Sequence, residues 1–62
     1  MAIELEIRDW QKRHLTSLLK IKRAGAAGQA LQALIEELEN AVTVMEPEDV
    51  AYCEKIIGVK AF

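Results

Sequence analysis

The sequence predicts an all-α protein: a two-helix antiparallel hairpin plus a short third helix, dimerising into a four-helix-type bundle. Three observations predict it. Apolar residues recur at helical spacing through two long segments. A joint of small residues, Arg23-Ala24-Gly25-Ala26-Ala27-Gly28, separates them. Charge also divides along the chain: Arg8, Lys12, Arg13, Lys20, Lys22 and Arg23 stand against the single acid Asp9, whereas Glu36, Glu37, Glu39, Glu46, Glu48, Asp49 and Glu54 fall in a stretch without a base. A basic helix folded back on an acidic one is the simplest arrangement favourable to both blocks.

The first element supports two readings at its start. Ile3, Leu5 and Ile7 alternate with Glu4, Glu6 and Arg8, the period of a half-buried strand. Asp9 would then cap a helix beginning at Trp10. Alternatively, Ile3, Ile7, Trp10, His14, Leu18 and Ile21 form one helical face that reaches back to about residue 3. Residues 10–23 are helical on either reading. Lys20, Lys22 and Arg23 place positive charge at the carbonyl end of the helix dipole. Gly25 then permits the left-handed conformation that ends many helices, so residues 24–28 read as the turn.

The second helix covers about 29–42. Leu31, Leu34, Ile35, Leu38, Val42 and Met45 follow helical spacing, with Glu36, Glu37, Glu39 and Asn40 on the opposite face. A third helix covers about 47–57. Pro47 suits a first helical position because its φ is preset and its missing amide donor is not needed there. Glu48 and Asp49 complement the positive N-terminal end, and Met45 and Val50 have the spacing of a hydrophobic staple around a cap at Glu46. Gly58 ends this helix, leaving residues 58–62 as a tail.

Sixty-two residues make one small domain, 1–62, with 52% hydrophobic residues. A chain of this length buries only roughly 60% of the surface its unfolded form exposes, so small domains commonly rely on a disulfide, a metal or oligomerisation. Cys53 is the single cysteine, which excludes an intramolecular disulfide. One cysteine and one histidine are too few soft ligands for a structural metal site. Oligomerisation remains, and the expected dimer or partner interface is Ile7, Trp10, Leu18, Ile21, Leu31, Leu34, Ile35 and Leu38. Leu5 and Leu19 project toward the outer, basic side of the first helix.

No catalytic, cofactor-binding or metal-binding set emerges. His14 lies on the Trp10/Leu18 face, away from carboxylates in the sequence pattern, and reads as a core-edge residue; its functional alternative is a pH-sensitive interface group. Cys53 sits on an apolar helical face without an identifiable activating base, and Thr16, Ser17 and Thr43 lack a base and orienting partner. Glu36, Glu37 and Glu39 do not show the Glu-x-x-His spacing of bundle metal sites. The Gly25-Ala-Ala-Gly28 segment lacks the lysine of a phosphate loop. These observations argue against an enzyme and against a cofactor.

The net charge of −2 supplies no overall attraction to nucleic acid or to an anionic membrane, and no apolar run approaches the roughly 20 residues of a bilayer span. Met1-Ala2-Ile3-Glu4 does not read as a signal peptide. With a free cysteine, this points to the cytoplasm. The basic stripe Arg8, Lys12, Arg13, Lys20 and Arg23 falls mostly opposite the Ile7/Trp10/Leu18 face and offers possible phosphate contacts.

With residues 3–8 as a strand, the order strand, helix, small-residue turn, helix resembles the ribbon–helix–helix repressors and antitoxins. The resemblance covers Ile3-Glu-Leu-Glu-Ile-Arg8, Gly25 and Leu31 to Leu38. It implies a dimer joined through the strand and reading the DNA major groove with it. Glu4 and Glu6 would occupy the groove-facing positions, where carboxylates repel phosphate. Two functions are therefore expected. The first is a non-enzymatic interaction or regulatory module of a bacterium or phage, working by homodimerisation and contact with a protein partner. The alternative is a nucleic-acid-binding regulator using the basic stripe.

Overall fold

The computed structural model describes residues 2–62, with side chains from Leu5 onward. The side chains of Ile3 and Glu4, invoked in the strand and stripe readings, lie outside the described residues. Among the described residues there are three helices and no strand: α1 (Ala2–Ala24), α2 (Gln29–Thr43) and α3 (Pro47–Ile57). The strand at 3–8 is thus corrected to helix, and the ribbon–helix–helix resemblance, which needs that strand, falls with it. Glu, Leu and Ile alternation fits either period locally, but the chain continues into a long run of good helix formers.

Local signals place the helix ends. Lys22 and Arg23 occupy the last turn of α1, and the Gly25 amide donates to the Lys22 carbonyl at 3.1 Å. Gly28 precedes α2 with φ 63° and ψ −136°, a conformation that side chains rarely adopt; a Cβ there would meet no atom within 4 Å. The requirement for glycine is therefore one of backbone conformation, not of space. Glu46 is extended before Pro47 and its carbonyl accepts from Asp49 and Val50 at 3.0 and 3.1 Å. Gly58 closes α3 in the left-handed conformation, donating to the Glu54 carbonyl at 2.8 Å.

The chain runs up, down and up along an elongated body of 41 × 19 × 15 Å. α2 returns antiparallel to α1, with Gln11 beside Val44 and His14 beside Glu37. α3 packs along α1 and parallel to it, so that Asp49 meets Arg8 and the Cys53 thiol donates to the Lys12 carbonyl at 3.6 Å. α1 is the central element, packed on both α2 and α3, which barely meet each other.

The core lies on the inward side of α1. Leu15, Leu19, Leu38 and Cys53 are completely buried, joined by Leu18, Leu34, Ala41, Met45 and Ala61. Leu19 therefore points inward, correcting its placement on the outer side, while Leu5 remains exposed. The physical reason is α3. Its apolar face lands on the Leu15/Leu19 side of α1, and the charged heads of Arg8, Lys12 and Lys22 on that side find partners in α3 and the tail. Lys22 Nζ donates to the carbonyls of Lys60 and Ala61 at 2.8 and 3.0 Å, and Glu54 accepts from the Ala61 amide at 2.7 Å. These bonds hold the tail against α1 and α3.

Candidate functional site

Packing α1 between two neighbours leaves a broad arc of its surface exposed, including Leu5, Glu6, Asp9, Arg13, Ser17 and Lys20, and one apolar line runs along that arc. At 3.6 residues per turn, Ile7, Trp10 and Ile21 fall on that line, and they are 51%, 64% and 52% exposed. Val44, just past the end of α2, is also exposed and shares a shallow hollow of about 460 Å³ with Ile7, Arg8, Gln11, Glu46 and Glu48. Ile7 belongs to both the ridge and this hollow.

His14 is built into the middle of the ridge. Its ring stacks on Trp10 with centroids 5.4 Å apart and planes 7° from parallel, and Nε2 stands 3.9 Å from a Glu37 carboxylate oxygen. The stack fixes the indole against its own helix, lowering the entropy that a contacting Trp would otherwise lose. His14 is thus half-buried, with a carboxylate beside it that the sequence pattern did not place there.

The eight expected interface residues divide sharply. Leu18, Leu34 and Leu38 are buried in the chain's own core. Leu31 is half-buried and Ile35 sits at the margin with 38% exposure. Ile7, Trp10 and Ile21 remain as surface. Leu15 and Leu19 were missed as core, and Val44 as part of the exposed patch; the signal available for the leucines was their i, i+4 spacing.

The basic stripe is largely engaged within the fold. Arg8 donates from Nε and Nη2 to both Asp49 oxygens at 3.1 and 3.0 Å and reaches Glu48 at 3.4 Å. Lys12 lies over the Tyr52 ring, 5.7 Å from its centroid. Arg13 pairs with Asp9 one turn earlier at 2.9 Å, and Arg23 donates to the Ile57 carbonyl at 3.3 Å. Lys20 is exposed. The blocks of opposite charge do meet, but chiefly between α1 and the first turn of α3.

Two titrating groups feel this packing. The Arg8 guanidinium holds the Asp49 carboxyl below the usual carboxylate range, mainly through its hydrogen bonds. Burial pushes the Cys53 thiol up, against a smaller opposing influence from Lys12, which suppresses the thiolate that nucleophilic chemistry needs. Among the described residues, no group of three His, Cys, Asp or Glu could hold a metal ion, and no helix is long and apolar enough to cross a membrane. No family model, curated protein or solved structure matches this chain.

Proposed function

We propose that this chain is a non-enzymatic helical interaction module whose working surface is the Ile7/Trp10/Ile21 ridge of α1, with α3 and the buried core serving as its scaffold. The observation that carries this reading is the exposure of three large apolar side chains along one line of α1, on the arc that α2 and α3 leave uncovered. Apolar residues scattered singly over a surface mean little, but a contiguous patch rimmed by polar groups marks a contact site. The exposed tryptophan within it is the residue type most often found to dominate binding energy. The free, buried thiol of Cys53 fits a reducing compartment, and we place the protein in the cytoplasm.

The nucleic-acid alternative has less to work with. Arg8, Lys12, Arg13 and Arg23 already have partners within the chain, so a phosphate would have to compete for most of the stripe. The reading is tested by comparing proteins retained from the source cell by the wild-type chain and by Trp10→Asp, after circular dichroism shows equal helicity. A protein bound by the wild type and lost with Trp10→Asp, whether a further copy of the chain or another species, is the expected result. Identical retention by both would overturn the reading.

A further inference from the structure

We infer that the occupant of the ridge is a second copy of this chain, laid antiparallel across it with a twofold axis passing near His14. This rests on the ridge being the working surface, and two observations support it.

The first is spacing. Ile7 and Ile21 lie one heptad on either side of His14, and a heptad returns to nearly the same line of a helix, with a drift of about 20°. An antiparallel twofold through His14 therefore sets Ile7 of each copy against Ile21 of the other. The same operation carries Trp10 to the level of the second copy's Leu18, which is buried in that copy's own core, with the exposed Ser17 one residue away. A twofold contact must be self-complementary in this way, with each residue's partner reciprocated.

The second is charge. Glu6 and Lys20 are both exposed on the flank of the ridge away from α2. Measured from His14 at 1.5 Å per residue, Glu6 of one copy and Lys20 of the other stand only about 3 Å apart along the axis, and the pairing occurs twice. Arg13, close to the twofold, is already neutralised by Asp9 at 2.9 Å. Rim charges of this kind select register more than they add affinity. A parallel pair would instead set Trp10 on Trp10.

Disulfide trapping tests the arrangement. Ile7→Cys and Ile21→Cys variants are mixed under mild oxidation and the linked peptides are identified by mass spectrometry. Cys53 can stay in place, because it is completely buried and peptide mapping separates it from the new thiols. Bridging needs Cα atoms within about 7 Å, so the expected product joins I7C of one chain to I21C of the other, and it is lost when Trp10→Asp is added. Homodisulfides of I7C and of I21C would overturn the antiparallel register while leaving the ridge as a contact surface. A monomer with no cross-link would overturn the second copy as occupant; the fate of the ridge reading would then follow from whether another protein is lost with Trp10→Asp.

Discussion

Arg8 and Asp49, 41 residues apart in sequence, meet as a two-pronged pair with Nε to Oδ2 at 3.1 Å and Nη2 to Oδ1 at 3.0 Å. The Asp49 side chain is only 10% exposed and the Arg8 side chain 44%, so the pair is shielded on the α3 side and open on the other. It ties the N-terminal half of α1 to the first turn of α3. Asp49 also sits where the helix dipole favours a negative charge, and Glu48 adds a second, exposed acceptor at 3.4 Å. With the apolar packing of α3 on Leu15 and Leu19, this contact seats α3 on α1.

The pair makes stability depend on acid. The folded Asp49 carboxyl is held below its ordinary value, so at acidic pH the unfolded chain binds the proton first and stability falls with falling pH. The contribution is present above the unfolded value near pH 4 and is lost as pH drops through the lower folded value. Thermal melts followed by circular dichroism at neutral pH and in steps below about pH 4 will show it. Asp49→Asn lowers the neutral-pH melting temperature and flattens the acid limb; an unchanged limb would contradict the assignment.

Core and ridge residues of α1 should differ in their effect on stability. Leu19→Ala removes a completely buried side chain and costs about 2–5 kcal/mol, enough to approach complete unfolding of a domain this small. Ile21→Ala, two positions on but half exposed, changes the stability of the isolated chain by about 0.5 kcal/mol or less. Urea titrations of both variants measured at concentrations too low for association separate the two cases.

Leu34→Asp and Trp10→Asp separate folding from association. Leu34 lies in the core formed within one chain, so an unpaired carboxylate there unfolds the protein whether or not it associates. Trp10 is 64% exposed, and its replacement leaves helicity intact. Circular dichroism of the two variants is the check, and loss of helix in a dilute sample of Trp10→Asp would contradict the placement of the ridge.

The Cys53 thiol should resist alkylation. It is fully buried, donates to the Lys12 carbonyl and is pushed toward its protonated form by burial. Iodoacetamide at mildly alkaline pH is expected to label it only on the timescale of global opening, with labelling rising steeply in urea. Rapid labelling of the native chain would mean that α3 is not seated on α1.

Punctuation by special residues made the helices readable. Gly25 and Gly28 mark the reversal, Pro47 and Gly58 bracket α3, and no tertiary information is needed to see them. The inward face of α1 was harder to read because two apolar lines overlap on one helix. Ile7, Trp10, Leu18 and Ile21 make the line that looks apolar, whereas Leu15 and Leu19 are interleaved with Arg8, Lys12 and Lys22 and so look basic. The second line is the buried one because those cations reach Asp49, Tyr52 and the tail carbonyls, partners supplied by a segment some forty residues on. A one-helix pattern carries no knowledge of them. The exposed ridge was visible as a set of residues, but appeared as core until α3 was placed.

The most direct test of the ridge as an interface is sedimentation equilibrium of the wild-type chain and Trp10→Asp over a roughly hundredfold range of concentration, since association populates by mass action. The account predicts a wild-type chain that passes to dimer as concentration rises and a Trp10→Asp chain that stays folded and monomeric throughout. A wild type that remains monomeric, or a Trp10→Asp variant that dimerises equally well, would contradict self-association through α1.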